Sequence, residues 1–364
     1  MKKQLLTAAI LCCLVIAGST AAPKSAKKKP KIPVSRVQTH MDGYLGDRID
    51  ACIRVRVCSE DPDLLVAPMR RQTETSLWQS EFWGKWTLGA IASYRYNKDP
   101  ELLRKIEGGV ESLLAAQQPD GYIGNYAPEA QLTNWDVWGR KYTMLGLLAY
   151  YDLTGDKKAL DGAVRLADHL LTQIPAVRQI ERTGIYRGMS SCSILEPIML
   201  LYNRTLDEKY LDFARYIVDR MESADGPQLI AKALDSVPVS ERFPLDDPSR
   251  GWFVWENGQK AYEMMSCYDG LLELYKVTND PRYLKAVEAT VTSIIADEIN
   301  IAGSGSSFEC FYKGKALQTE PAYHTMETCV TMTWMKLCYD LLRLTRNPLY
   351  ADQIERSAYN ALAA

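Results

Sequence analysis

The feature that most restricts the fold is a short turn motif that occurs five times along the chain. Each copy consists of Thr or Asn, any residue, and Asp or Asn, and it separates an apolar, Tyr- or Leu-rich segment from a second amphipathic segment. Pro100 and Pro281 directly follow two of the copies, at the first helical position, where the missing N–H is not needed. We therefore interpret each motif as the corner of a helical hairpin. The copies are Asn97-Lys98-Asp99, Thr154-Gly155-Asp156, Thr205-Leu206-Asp207, Thr278-Asn279-Asp280 and Thr345-Arg346-Asn347.

The segments that flank these turns have the periodicity of helices. After the second turn, apolar residues from Leu160 to Ile174 recur at spacings of three and four, which places them on one helix face. Strand-like alternation is scarce, except around residues 299–311. Single hairpins cannot bury their own apolar faces and must pack on one another, and their unequal spacing favours a closed ring over a solenoid. We predict an all-α toroid in which a hairpin around Ile53 and Leu65 is incomplete.

The two ends of the chain differ from this pattern. Residues 1–22 combine Lys2 and Lys3, a short apolar stretch and a run of small residues, which predicts a signal peptide and an exported protein, periplasmic or extracellular. Residues 23–40 form a Lys- and Pro-rich linker, and residues 41–364 form the toroid. The helical pattern stops at Ala364 without a capping signal, so we expect a fragment of a longer protein.

Composition excludes some classes of function. The 43 Lys and Arg residues are balanced by 45 Asp and Glu residues, so a nucleic-acid partner is not expected. No later stretch is apolar for long enough to predict a membrane span. The 21 Tyr and 8 Trp residues outnumber the 6 Phe residues, and many of them lie in segments between hairpins, at 78–86, 120–126 and 134–140. Rings beside carboxylates and amides are typical of carbohydrate sites, so we expect a sugar ligand.

The densest polar cluster is a Gly- and Ser-rich loop at residues 303–311. It contains Glu309, which has Phe308, Cys310, Phe311 and Tyr312 as sequence neighbours. An apolar environment would raise the pKa of this carboxyl group and suit it to general acid catalysis. An exposed loop carboxylate is the alternative on spacing alone.

Glu327 and Cys329 form a second cluster, just before a helical pattern begins at Val330. The side chains of residues two apart on a helix point about 200° from each other, whereas in an extended segment they face the same way. A carboxylate and a thiolate that share one side of a helix entrance would supply half of a zinc site. Two further ligands are then needed.

Five sequence motifs occur in order along the chain. They are WQSEFWGKW (78–86), QPDGYI (118–123), LADHL (166–170), GSGSSFEC (303–310) and ETCV (327–330). Together they resemble glycoside hydrolase family 127, the β-L-arabinofuranosidases and their relatives. The resemblance runs from about residue 41 to the last residue, and it is most specific in the fourth and fifth motifs.

The resemblance implies an (α/α)6 barrel followed by β-sandwich domains, and a retaining hydrolase that removes a terminal sugar from plant-type glycans. It makes Glu309 the general acid/base and makes Glu327 and Cys329 two of the four zinc ligands. The other two ligands would be adjacent cysteines beyond Ala364, one of them the nucleophile, so this chain alone is not expected to turn over substrate. A thiolate held by zinc would attack the anomeric carbon while Glu309 protonates the leaving oxygen.

The aromatic and polar segments also supply candidates for substrate contact. In family members, several histidines line the pocket, but the matching stretches here contain Arg140, Lys141 and Lys260 instead. These cations suggest an acidic or otherwise modified sugar, unless they point outward. Two alternatives stay open: a non-catalytic carbohydrate-binding toroid and a metal-free, uronate-active toroid enzyme. The substrate-binding candidates are Glu81, Trp83, Tyr122, Trp135, Arg140, Lys141 and Gln259.

Overall fold

The computed structural model describes residues 39–243, 259–319 and 326–363. The predicted signal peptide and nearly all of the predicted linker lie outside these residues. The helices are α1 Gly43–Cys52, α2 Pro62–Arg71, α3 Ser80–Asn97, α4 Pro100–Ala115, α5 Asp136–Thr154, α6 Lys157–Gln173, α7 Met189–Cys192, α8 Leu195–Thr205, α9 Glu208–Met221, α10 Leu229–Leu234, α11 Ala261–Thr278, α12 Pro281–Asp297, α13 Thr328–Thr345 and α14 Pro348–Ser357. π-Helical turns at Ile53–Val57 and Ala358–Leu362 extend α1 and α14.

All five turn motifs form hairpin corners, and one local hydrogen-bond scheme explains their sequence. At the second corner, Thr154 Oγ1 accepts a hydrogen bond from the N–H of Asp156, whose carboxylate accepts one from the N–H of Lys158 and caps α6. Gly155, between them, has a φ of 77°, in the left-handed region that ends α5. The other four corners repeat both bonds and the left-handed residue.

The hairpins are arranged as the repeat predicts. Helices α3, α5, α8, α11 and α13 pack in this order, and each is covered on its outer side by the helix that follows its corner. α3 and α5 approach most closely because glycines line their contact: a Cβ atom on Gly84 would lie 2.1 Å from the carbonyl oxygen of Tyr142. Before this series, where the sequence predicts an incomplete hairpin around Ile53 and Leu65, the π-helical turn Ile53–Val57 packs against α3, α2 packs against α3 and α4, and α1 is mostly exposed.

The N-terminal ends of α11 and α13 and the loops before them hold the polar clusters that the sequence analysis selected. Here a two-residue strand β1, Gln259–Lys260, pairs antiparallel with β2, Cys310–Phe311, and places Lys260 opposite Cys310. The strand tendency expected around residues 299–311 is thus limited to β2 among the residues described. Within those residues no helix is both long and apolar enough to cross a membrane.

Candidate active site

The loop that carries Glu309 has an unusual backbone conformation. Ser306, Phe308 and Glu309 have φ values of 78°, 49° and 62°, which non-glycine residues adopt at a cost of about 1–3 kcal/mol each. Ser307 and Cys310 exchange two backbone hydrogen bonds, and the N–H of Ala261 donates to the carbonyl oxygen of Glu309 at 2.8 Å. These bonds hold the strained loop and fix Glu309 beside the first turn of α11.

Glu309 faces a buried cation. The ammonium of Lys260 contacts the Glu309 carboxylate; the Lys260 side chain is 0% exposed and that of Glu309 is 21% exposed. The Lys260 Nζ atom also lies 5.6 Å from the ring centroid of Tyr186. The environment of Glu309 is therefore neither the apolar one that its sequence neighbours suggested nor that of a fully exposed loop carboxylate, because the register of the β1–β2 pair places Lys260 next to it.

Glu327 and Cys329 lie together at the entrance of α13. Glu327 is the residue before the helix and has an extended backbone, with φ −63° and ψ 132°, so its carboxylate can turn back toward Cys329. The Cys329 Sγ atom donates a hydrogen bond to Glu327 Oε1 over 2.9 Å. Burial, together with the adjacent Glu327 carboxylate, raises the pKa of the Cys329 thiol to about 12.

These two residues and Glu309 form a single group of potential ligands. One ligand atom from each of the three lies within 4.8 Å of the others. A thiolate with carboxylate oxygens is a donor set that suits Zn²⁺, so the residues present fit such an ion.

The first turns of α3 and α5 supply a second group of side chains, which we call the neighbouring wall. Its member Lys85 acts electrostatically on the Cys329 thiol. Glu81 accepts hydrogen bonds from Lys85 Nζ, at 2.8 Å, and from Trp138 Nε1. The Lys85 ammonium also lies 4.8 Å from the ring centroid of Tyr262. Both oxygens of the predicted substrate ligand Glu81 are thus occupied by protein groups, and its visible role is to hold Lys85 and Trp138.

A series of aromatic rings leads from this wall to the surface. The ring centroid of Trp135 lies 5.8 Å from that of Trp138, 6.4 Å from that of Tyr186 and 6.2 Å from that of Trp78. Trp78 is 37% exposed, whereas Trp135 is buried. The predicted ligand Trp135 therefore belongs to an aromatic wall that is connected to Lys260 through Tyr186, and Trp78 forms its outer edge.

Two of the predicted pocket residues belong to a separate, closed cluster. Arg140 is fully buried and binds the Asp136 carboxylate through two nitrogens, at 2.6 and 3.2 Å. The hydroxyl of Tyr122 donates to the same carboxylate at 2.8 Å, and Arg140 lies over the Tyr122 ring. The polar groups of Arg140 and Tyr122 are thus used inside the protein, and these contacts do not support the substrate-binding role predicted for the two residues.

Lys141 is buried as well and lies 4.4 Å from the ring centroid of Trp138. Burial lowers the pKa of its ammonium, and the negative charge of Glu196 opposes this shift. Because Arg140 and Lys260 each contact a carboxylate, the three cations do not form the open cationic pocket that the sequence suggested.

The side chains of Trp83 and Gln259, two further predicted substrate ligands, also have protein partners. Trp83 is two residues from Glu81, about 200° around the helix, and its indole N–H donates to Gly109 O at 3.1 Å in the core. Gln259 exchanges two hydrogen bonds with the backbone of Phe243. In a strand, neighbouring residues point to opposite sides, so Lys260 reaches Glu309 and Gln259 does not.

The sequence analysis missed Lys85, Tyr186 and Tyr262 and did not pair Lys260 with Glu309. Lys85 had a detectable signal, since it follows Glu81 by four residues on the same helix face. Tyr186 and Tyr262 had none, because only the packed toroid brings their segments to the site.

The sequence and the fold both match known proteins. The sequence model of the family described as β-L-arabinofuranosidase, GH127 catalytic domain, matches residues 37–364. A non-reducing end β-L-arabinofuranosidase of Bifidobacterium longum is 22% identical over 306 residues, which are 77% of this chain and 45% of that protein.

Solved structures share the fold. A GH127 β-L-arabinofuranosidase from Geobacillus stearothermophilus T6 has a TM-score of 0.66 at 19% identity, over 89% of this chain and 55% of that one. An unsaturated glucuronyl hydrolase from Streptococcus agalactiae has a TM-score of 0.55 at 16% identity, over 93% of this chain and 84% of that one. The chain thus spans about half the length of the two β-L-arabinofuranosidases that it matches.

The helical hairpins, the order of the inner helices and these structural likenesses define an all-α toroid of the (α/α)6 class, as predicted. Its distinguishing site is a pair of carboxylates and a thiol at one end of the toroid. The chain belongs to the GH127 catalytic-domain family of β-L-arabinofuranosidases.

Proposed function

We propose that this chain is the catalytic domain of an exported glycoside hydrolase that releases a terminal L-arabinofuranose, or a closely related sugar, from plant-type glycans with retention of configuration. The observation that carries the proposal is the group formed by Glu309, Glu327 and Cys329, whose ligand atoms lie within 4.8 Å of one another. The aromatic wall of Trp78 and Trp135, which is connected to Lys260 through Tyr186, supports a sugar ligand. Export rests on the signal peptide predicted at residues 1–22.

The residues described support a neutral sugar better than an acidic one. Lys260 contacts Glu309, and the charge of Lys85 acts on Cys329; Lys85 in turn already contacts the carboxylate of Glu81. Recognition of a sugar carboxylate would require one of these pairs to break and leave a buried carboxylate without its cation.

Glu309 is the group that transfers protons in this proposal. In the first step the glycosidic C–O bond breaks, the leaving oxygen takes the proton of Glu309, and a cysteine thiolate bonds to the anomeric carbon. In the second step Glu309 takes a proton from water, whose oxygen replaces the sulfur at that carbon. The cysteine that attacks, and its neighbour, stay a prediction for sequence beyond Ala364.

Glu327 and Cys329 would hold the metal. A bound zinc ion would supply positive charge that stabilises thiolates near neutral pH. Replacing Cys329 by Ser should lower the zinc content of purified full-length protein, measured by elemental analysis, well below about one ion per chain. Cys338→Ser is the matched control, because this buried cysteine lies further along the same helix. Full zinc occupancy in Cys329→Ser would contradict the ligand assignment.

The direct test of function is hydrolysis by the full-length protein. We expect release of L-arabinose from an aryl β-L-arabinofuranoside, with the β-anomer observed first by proton NMR because two displacements retain configuration. Binding of L-arabinose without hydrolysis would instead favour the sugar-binding toroid. Activity that is confined to unsaturated uronides and survives chelation would favour the metal-free enzyme.

A further inference from the structure

A buried lysine is costly unless its charge is compensated, and Lys260 has two carboxylates near it. One is that of the buried Glu263, whose pKa is raised by burial against the opposing charge of Lys260, and the other is that of the proposed acid/base Glu309. Lys260 is 0% exposed, and its ammonium contacts the carboxylate of Glu309, which comes from a different segment of the chain. If this position served only to fill the core, an apolar side chain would do so without needing a compensating charge. The contact therefore has a purpose at Glu309.

The backbone fixes the relative position of the two residues. Lys260 pairs with Cys310 in the two-stranded ribbon, and the N–H of Ala261 donates to Glu309 O. The ring of Tyr186 lies 5.6 Å from the ammonium and limits its movement. Lys260 is thus presented to Glu309 from a rigid element and not from a mobile loop side chain.

The contact matters because Glu309 has a competing partner. Its carboxylate lies within 4.8 Å of the ligand atoms of Glu327 and Cys329, close enough to join them around a cation. A carboxylate that coordinates a metal ion cannot stand free to exchange a proton with the leaving oxygen. Glu327, in contrast, accepts a hydrogen bond from Cys329 and is directed toward it.

We propose that Lys260 is a positioning residue that holds one oxygen of Glu309 away from the Glu327–Cys329 pair and so keeps the other oxygen available for proton transfer. This inference rests on the proposed function for its catalytic consequence. The orientation of Glu309 itself does not depend on that function. While Glu309 is ionised the Lys260–Glu309 pair has no net charge, so Lys260 is not proposed to attract an acidic sugar.

Crystal structures of the full-length protein and its Lys260→Met variant test the orientation without any assay of hydrolysis. Methionine fills a similar volume without charge. We expect the Glu309 carboxylate in Lys260→Met to turn toward Glu327 and Cys329, or to occupy two conformers, while the β1–β2 ribbon is unchanged. A single Glu309 conformer identical to that of the wild type would overturn the inference, whether or not the protein hydrolyses arabinofuranosides.

Kinetics then test the consequence. On an aryl β-L-arabinofuranoside, Lys260→Met should lower kcat about 10-fold or more with KM changed less than about twofold, and Lys260→Arg should recover much of the loss. Lys260→Met should add little to Glu309→Gln, because both act on the same group. A rise in KM with unchanged kcat, or full additivity with Glu309→Gln, would assign Lys260 to substrate binding and contradict the positioning role.

Discussion

Two ion pairs of this protein each join a fully buried cation to a carboxylate, and they differ in what surrounds them. Arg140 and Asp136 are four residues apart on α5, and both side chains are 0% exposed. Lys260 and Glu309 come from segments that meet only in the folded chain, and Glu309 keeps a partly open side. A fully buried pair exposes no surface to a ligand. A pair whose carboxylate is partly exposed can exchange a proton with a bound ligand.

The neighbours of each pair make the same distinction. The cluster around Arg140 also includes Tyr122 and Gln173, which saturate the carboxylate and the guanidinium. The carboxylate of Glu309 instead lies near two further groups that can coordinate a cation. We therefore expect substitutions in the first cluster to change stability and substitutions in the second to change activity.

The largest expected effect is that of Glu309→Gln on hydrolysis. Glutamine keeps the shape of the side chain but cannot donate or accept the proton, so kcat for glycosides with poor leaving groups should fall about 100- to 10,000-fold. The melting temperature should fall as well, because the buried Lys260 ammonium loses a carboxylate partner, so kcat is measured at a temperature at which both proteins are folded. Steady-state kinetics and thermal unfolding of the same preparations measure both.

A carboxylate far from the site provides the control. Glu129 is exposed in the short helix Pro128–Ala130, and Glu129→Gln should leave both rate and melting temperature unchanged. If Glu309→Gln retained wild-type rates with poor leaving groups, Glu309 would lose its acid/base role and the comparison between the two pairs would fail.

The next largest effect is that of Asp136→Asn on stability. Removing one partner leaves the buried Arg140 charge uncompensated, which typically costs about 3–5 kcal/mol of the free energy of unfolding. The activity of the molecules that remain folded should be close to wild type. Denaturant unfolding, followed by circular dichroism, measures the first quantity, and a rate normalised to folded protein measures the second.

The exposed pair of Asp63 and Arg70 gives the matched control. Its side chains are largely solvent-accessible, so Asp63→Asn should cost no more than about 1 kcal/mol. A large loss of activity in Asp136→Asn at unchanged stability would show that the Arg140 cluster serves catalysis after all.

The sequence predicted the fold well because its information is local. Each hairpin corner is specified within about five residues by side-chain oxygens that accept neighbouring N–H groups, as Thr154 and Asp156 show. The same locality explains why Glu327 and Cys329 were paired correctly, since an extended residue before a helix is enough to bring them together.

The site was predicted less completely because side-chain direction and partners depend on packing. Gln259 was predicted to bind substrate, and its neighbour Lys260 was not linked to Glu309. Neighbouring residues in a strand face opposite sides, so a choice one residue away selects a side chain on the other side. Arg140 is cationic in sequence, but its charge is compensated by Asp136 one helical turn away. Composition reports the presence of charges, whereas only the contacts report which of them are already used.

The smallest expected effect is a change in the pH dependence of stability, and it tests whether the Arg140 cluster serves stability. His169 belongs to this cluster, with Nδ1 3.3 Å from Arg140 and Nε2 3.4 Å from the exposed Asp120. Burial and the charge of Arg140 lower the pKa of His169 below its usual value of 6.5, and Asp120 only partly opposes them. The folded protein therefore binds fewer protons at this position than the unfolded chain does.

Above pH 6.5 the lowered pKa of His169 therefore does not change the free energy of unfolding. As the pH falls through and below that value, the contribution of His169 lowers this free energy progressively. The loss amounts to about 1.4 kcal/mol for each unit by which the pKa is lowered. Thermal unfolding between about pH 5.5 and 7.5 should show a shallower pH dependence for His169→Gln than for the wild type. His40→Gln should leave the dependence unchanged, since the His40 side chain is 65% exposed. Equal slopes for His169→Gln and the wild type would mean that His169 is not held neutral by its neighbours, and the Arg140 cluster would then be less closed than its contacts indicate.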